Sequence, residues 1–509
     1  MTDALIAAIP IGTVLVLMLV ARWPAVRAGI AGLIVALVIA VIVFPFDSVD
    51  NDIVVGVTGS FSEAAFTALT ILWIILPALA IYRLQTETGA VDSLRFGLRE
   101  LSSDPRLTAL VVAWFFALLL EGAAGFGTSA ALAAPVLMAI GMSPIAAVTA
   151  AMLGHIVGVT FGAVGTPIVP MVAASGLDPL DLSASVALQA ALVGWTVPIV
   201  VSVIIARAYP QQKPHPGWLR WGLGFAAALA FLVPYLLIAT FVGPELPTLG
   251  GAIAGGAVVI LGIRRWAAHD EHRADADSDS PMSLARAMAP YLILVAIVLA
   301  TRLIPPLRDA LQDIAFTWEA AEGTFGGTFQ PLYHPGTMLF IAFLFGALVQ
   351  RAQPSQLGQS LAGAARTMVP VAAALFAMLG LARIMVHAGR VDAIAAAAAD
   401  AVGGAWPLLS PSVGALGTFV TGSATASNAL FSDLQVATAN AIGQDVATVL
   451  GAQDVGAALG NAIAPHNLIA AAAIVGLAGR ESEILRRTLP VVIPLVIAAG
   501  AVALVLVNL

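Results

Sequence analysis

The 509-residue chain has no cysteine, one lysine, and charged side chains at only 10% of its positions. Without cysteine there are no disulfides, no thiolate metal sites and no cysteine nucleophile, and the redox state of the compartment leaves no mark. A soluble protein carries roughly a quarter charged residues to solvate its surface, so most of this surface must face something other than water. There is no HExxH-type motif and no paired acidic run, which removes the usual metal-ligand and nucleophile–base sets of an enzyme and any expected cofactor. A channel's continuous polar stripe or charged ring is also missing, because the polar residues cluster instead. The net charge of −7 says little about partners and gives no reason to expect nucleic acid. A basic n-region and a cleavage site are absent from the start of the chain, so Ala4–Ala21 reads as a retained span.

What the chain does have is apolar length. Hydrophobic residues make up 60% of it, gathered into runs near the roughly 20 residues that cross a bilayer as a helix. Unbroken candidates are Ala4–Ala21, Ala28–Pro45, Ala64–Leu84, Ser183–Ala206, Trp221–Val242, Leu249–Ile263, Met288–Ile304, Thr337–Val349, Met368–Ala388 and Leu489–Leu509. Four further segments are long but interrupted by glycine, proline or hydroxyl residues: Leu107–Ile140, Ile145–Ser175, Ala405–Ile442 and Val446–Ala478. Backbone that leaves the helix at membrane depth survives only where protein or a watery cavity satisfies it.

The interruptions come in pairs. Gly122, Ala124 and Val136 match Gly422, Ala424 and Val436 at one spacing, which also aligns Arg83, Gly89, Val91 and Asp92 with Arg383, Gly389, Val391 and Asp392. After a two-residue slip, FGAVGTP (Phe161–Pro167) aligns with LGNAIAP (Leu459–Pro465). Paired broken segments in two halves mark a secondary transporter built from repeats. Threading the basic residues to one side places 18 of the 22 Lys and Arg inside, leaves Arg302, Arg308, Arg383 and Arg390 outside, and puts both termini outside. The repeats, residues 1–206 and 287–509, then run in opposite senses. The expected fold is an all-α polytopic membrane protein: two inverted-topology repeats with re-entrant hairpins (Leu107–Ile140 and around Gly422–Asn428) and unwound transmembrane helices (around Gly162–Pro167 and Gly460–Pro465). Residues 207–286 form a linker with two extra spans and a polar run, His269–Pro281, read as a solvated cytoplasmic loop. The stretch Pro305–Pro335 is read as an outer loop capping the external face.

Helix N-termini at such breaks offer free N–H groups to an anion. The candidate substrate-binding set is Gly125, Gly127, Thr128, Ser129, His155, Gly165, Thr166, Ser423, Thr425, Ser427, Asn428, Gln453, Asn461 and His466. The competing reading is that small and hydroxyl residues simply let helices pack closely. His155 and His466 suit a proton carrier or anion ligand, or equally a packing role; His387 reads as interfacial, and Arg83 and Arg383 as snorkelling anchors. Glu121 is the one acid in the first interruption, preceded by 14 uncharged residues from Leu107 to Leu120. With Asp454 it forms the proton-coupling set. A role at the hairpin tip, accepting backbone N–H bonds, is the alternative for Glu121.

The segments LEGAAGFGTSAALAAP, FGAVGTPI, TGSATASNALFSDLQ and VGLAGRESEILRRT, together with PYLILVAIVLATRLIPPL and YHPGT, resemble the signatures of the lactate permease family over nearly the whole chain. The resemblance implies a bacterial inner-membrane carrier that takes up lactate, glycolate and related 2-hydroxymonocarboxylates with protons. It also exposes departures. Ala424 stands where the family commonly has an acid, Asn461 where it has lysine, and His155 and Gln453 where it has asparagine, while Asp433 and Asp454 add negative charge nearby. Loss of both members of a buried pair is coherent, since losing one strands a charge. The expected partners are a small organic anion, protons (with sodium open) and the bilayer, and a homodimer is among the open assemblies. The alternatives are a cation/proton antiporter using Glu121, Asp433 and Asp454, or a carrier of another carboxylate or a sulfonate.

Overall fold

In lipid a backbone must satisfy its own polar groups, and apolar runs with few internal turn signals do so as helices. The computed structural model describes every residue except 1, 22, 43–45, 47–48, 50–51, 100, 103, 126–127, 211–216, 268–281 and 478–479. The polar run His269–Pro281 therefore lies outside the described residues. Ten helical segments among those described are long and apolar enough to span a membrane, and four apolar helices are shorter.

The first part of the chain forms α1 (Thr2–Leu19), α2 (Ala25–Ile42), α3 (Ile53–Glu87) and α4 (Ala90–Arg99). A helical hairpin follows. Its first arm is α5 (Pro105–Leu110), a π-helical stretch (Val111–Phe116) and α6 (Ala117–Ala124); its second is α7 (Thr128–Ala139). Next comes a broken helix: α8 (Pro144–Gly154), a 3₁₀ segment (Ile156–Thr160), tight turns, and α9 (Ile168–Ser175). The half closes with α10 (Pro179–Gly194) and α11 (Val197–Ala208). Between the halves stand α12 (Gly217–Phe241) and α13 (Pro247–Ala267). The second part contains α14 (Leu284–Leu303), α15 (Pro305–Gln312), α16 (Pro335–Gln350), α17 (Pro354–His387) and α18 (Arg390–Val402). A second helical hairpin, α19 (Trp406–Thr421) and α20 (Ala424–Ala441), precedes a second broken helix, α21 (Val446–Gly460), a 3₁₀ turn (Asn461–Ile463) and α22 (Pro465–Ile474). The last helix is α23 (Glu481–Leu506). Both halves thus show the same order: long helix, short helix, hairpin, broken helix, closing span.

Local chemistry sets these boundaries. Asp52, Asp104, Asp178 and Asp445 cap α3, α5, α10 and α21 by accepting N–H bonds from the first turn. Proline opens α5, α8, α16, α17 and α22, where its missing N–H costs nothing. The run Ser183–Ala206 is not one helix: it turns at Trp195–Thr196, just before Pro198. The two longest helices, α3 and α17, pack along each other, with Phe61 stacked on Phe376 at 5.7 Å and Arg83 donating to Thr367 at 2.8 Å.

The segment read as a capping loop contains the one sheet among the described residues, antiparallel strands β1 (Phe316–Ala320) and β2 (Phe325–Phe329). Its Phe, Trp and Thr residues alternate in a strand-like way that hydropathy alone does not register. The sheet is fastened to α3 and α17. Glu63 accepts from the Gly326 N–H at 3.2 Å and pairs with His387 at 2.8 Å, and the Phe325 ring lies 4.5 Å from the His387 ring. His387, expected to be interfacial, is held in this contact. Beneath the sheet lies a cavity of about 370 Å³, roofed by Gly326–Phe329 and floored by Val169, Val172 and Ala173 of α9.

Candidate functional site at the helix breaks

The four interruptions meet. The 3₁₀ segment Ile156–Thr160 packs against α21 and the 3₁₀ turn Asn461–Ile463, and Val159 shares one apolar cluster with Ala424, Ala457 and Ala458. The first break is longer than the glycine pattern predicts, extending from His155 to Pro167. Gly162, Val164 and Gly165 all take left-handed backbone, at φ 45°, 50° and 79°. For a β-branched residue such as Val164 that is strained, the kind of local cost that surrounding structure must hold in place. A Cβ on Gly165 would also sit 2.9 Å from the Pro244 carbonyl oxygen. Gly165 and the buried Thr166 therefore shape the turn.

Each hairpin tip touches its own break. Gly125 ends α6 at φ 56° and ψ −147°, and a Cβ there would lie 3.1 Å from the Ala163 nitrogen. In the second half Asn467 performs the join, its amide donating to Gly422 O at 3.2 Å and Asn461 O at 3.3 Å. Ser423 caps α20 by accepting the Ala426 N–H at 3.3 Å, and Thr425 is buried in the first turn. Gly127 is outside the described residues; Thr128 opens α7 and His466 lies in the first turn of α22, with side chains not among those described.

Three buried polar pairs occupy the junction. Ser129, on the second arm of the first hairpin, donates to Glu121 Oε2 at 2.7 Å, so the carboxyl of α6 is held by a hydroxyl across the tip. His155 lies within electrostatic reach of that carboxyl. Its Nδ1 donates to Ala151 O at 2.8 Å, and its Nε2 lies 3.1 Å from the Asn461 side-chain oxygen. An acceptor at each nitrogen suits an imidazolium, whereas a neutral ring needs Asn461 to turn its amide over and donate. Asn461 can serve either charge state of His155. Both positions depart from the pattern the resemblance implies, and they are hydrogen-bond partners. The third pair is Asn428, whose amide donates to Asp454 Oδ1 at 2.6 Å and to Pro167 O at 3.1 Å, joining α20 and α21 to the first break.

Other predicted residues are engaged elsewhere. Gln453 Oε1 accepts from Gln435 at 2.8 Å, and Ser427 donates to Gly414 O at 2.9 Å while Gln453 Nε2 approaches its hydroxyl at 3.4 Å. These two support the α19–α20–α21 packing, which is tight: a Cβ on Gly414 would fall 1.9 Å from Gln453 O. Arg383 is no snorkelling anchor. It forms an ion pair with Asp433 at 2.7 Å, a carboxylate that had been a candidate cation ligand. Asn467, Tyr235 and Thr248 went unnoticed in the sequence. Thr248 donates to Gly158 O at 2.8 Å, and Tyr235 binds Thr160 at 2.7 Å, so α12 and α13 brace the first break. Tyr235 is marked in the sequence only as a polar group within apolar surroundings, while Asn467 directly follows His466 and Thr248 lies three residues after Glu245.

With these contacts in view, the chain's relatives can be placed. The family model described as L-lactate permease matches residues 3–327 and 319–509. The chain belongs to the L-lactate permease family. It is 30% identical over 443 residues to an L-lactate permease of Streptococcus iniae, covering 86% of this chain and 91% of that one. It is 27% identical over 534 residues to a glycolate permease of Escherichia coli (strain K12), covering 96% and 92%. Among solved structures, that of Neisseria gonorrhoeae MtrF, described as illuminating a class of antimetabolite efflux pumps, superposes with a TM-score of 0.52 at 14% identity over 96% of both chains, a likeness of fold alone. The protein is a multi-pass membrane permease, and its family is one of transporters rather than enzymes.

Proposed function

We propose that this permease imports a small 2-hydroxymonocarboxylate of the lactate or glycolate class, in symport with protons, across the cell inner membrane. Relatives named for L-lactate and glycolate transport support the substrate class. The observation that carries the coupling is the buried Glu121–Ser129 pair beside His155 and Asn461, where broken helices of both halves meet. A carboxyl 3% exposed can carry a proton inward only if water reaches it at some stage, which opening of the breaks supplies. The first turn of α20, at the second hairpin tip, gives the substrate carboxylate N–H groups as its counterpart. On this reading residues 1–206 and 287–509 are inverted repeats, 207–286 is an insert, the β-sheet lies outside with both termini, and the cavity beneath it is the approach to the site.

The test is uptake of labelled lactate and glycolate by proteoliposomes under an imposed pH gradient, an imposed sodium gradient, or neither. Accumulation should follow the pH gradient, and Glu121→Gln should reduce it at least tenfold while equilibrium exchange falls much less. Glu121→Gln keeping full accumulation would move the proton elsewhere. The rival antiport reading calls for sodium-driven proton movement with no organic anion present; Asp433, one of its three carboxylates, is already committed to Arg383.

A further inference from the structure

Asn428 and Asp454 are both fully buried. The Asn428 amide has two hydrogens, and its three acceptor neighbours fix which way it faces: Asp454 Oδ1 at 2.6 Å, Pro167 O at 3.1 Å and the Met171 sulfur at 3.2 Å. That leaves Asn428 Oδ1 and Asp454 Oδ2 as two buried oxygens without hydrogen-bond partners. They belong to the same two planar groups, already joined along one edge. If Asp454 is ionised, both oxygens are bare acceptors and nothing supplies a donor. A proton on Oδ2 would supply the missing donor, and an O–H turned towards Asn428 Oδ1 would close the second edge of the pair and satisfy both oxygens.

We propose that Asp454 and Asn428 form a proton-binding site, a carboxylic acid–amide pair holding one proton where the two halves meet. Among the described residues no arginine or lysine is paired with it. α19 and the two 3₁₀ segments packed on α21 carry no charged residue, and α10 and α23 carry theirs in their first two turns. On α20, Asp433 is bound to Arg383; His155 is bound to Asn461; the Tyr235 hydroxyl of α12, the remaining titratable group facing Asp454, is bound to Thr160. Because Asn428 also holds Pro167 O, loss of the proton acts directly on the joint between the second hairpin and the first break. That consequence for transport rests on the symport reading; the site itself does not.

Infrared difference spectra of the purified protein in H₂O and D₂O at neutral pH, without substrate, test the site. The wild type should show a protonated-carboxyl C=O band that shifts in D₂O, is lost in Asp454→Asn and survives in Glu121→Gln. Asp454→Asn replaces the acid with a second amide and keeps both edges satisfied, so it should fold with undiminished thermal stability. If that variant does not fold, Asn428→Ala serves, since losing the amide acceptor should move the band. A spectrum unchanged by both substitutions overturns the assignment. So does stabilisation of the wild type by sodium chloride over choline chloride at equal ionic strength, which would make the pair a sodium site. A missing band would leave lactate uptake untouched, and absent uptake would leave the band, so the two readings fail separately.

Discussion

His334 shows how much one side chain can decide. Its Nδ1 accepts the Gly336 N–H at 3.2 Å and so caps α16, a role open only to the neutral ring. Burial first, and then the charge of Arg302, push its pKa down to about 4. The unfolded ring, with a pKa near 6.5, binds a proton more readily than the folded one, so its contribution is present above about pH 6.5 and is lost as pH falls towards 4. At full effect that is about 3 kcal/mol. Thermal unfolding in detergent should therefore show stability falling between pH 6.5 and 4, and His334→Asn, which can cap without titrating, should flatten that part of the curve. Sequence reasoning passed over this histidine because its cap depends on the turn after β2. It did find Glu121, His155, Asn428 and Asp454, since each is a polar group inside an apolar interruption. It could not assign their partners, because His155–Asn461 and Asn428–Pro167 join residues 306 and 261 positions apart.

Among elements, the helices were legible and the β-sheet was not. Apolar runs give α12 almost whole and the later parts of α3 and α17, which begin 11 and 14 residues before the runs read from the sequence, whereas the alternation in ten strand residues is too brief to stand out within the Pro305–Pro335 loop. That sheet roofs the cavity above α9, and α9 reaches Asn428 from its other side through Pro167 and Met171. If the cavity is the approach, tying roof to floor must close it. The absence of native cysteine makes the experiment direct: Thr328→Cys with Ala173→Cys, joined by a short bifunctional maleimide, should cut lactate exchange in proteoliposomes at least tenfold, with either single variant unaffected. Full exchange in the cross-linked protein would place the approach elsewhere.

For the molecule as a whole, what matters is how one half senses the other. The repeated order of elements was visible in spacing alone, from Gly122/Gly422 to Pro167/Pro465. The extra bracing of the first break by Tyr235 and Thr248 was not, because it comes from α12 and α13, which follow the first closing span and lie outside the matched spacing. Among the bonds that cross between halves are His155–Asn461 and Asn428–Pro167. A double-mutant cycle measures the first: His155→Ala and Asn461→Ala, singly and together, should show a coupling of about 1 kcal/mol in unfolding free energy. Additive losses would mean that the halves meet at this point without depending on each other.

The π-helical stretch Val111–Phe116 lies between the start of the first hairpin arm and Glu121. Such a turn holds one residue more than the α-helix around it, like a tuck in cloth. The arm could lose a single residue there, smooth into plain α-helix, and still present Glu121 to Ser129. One residue lost between Ala117 and Leu120 has no such slack to draw on, and would swing the carboxyl about 100° around the helix axis. The extra residue thus separates two demands on one arm: Asp104 and Pro105 can hold its start at the surface while Glu121 keeps its own bearing at the tip.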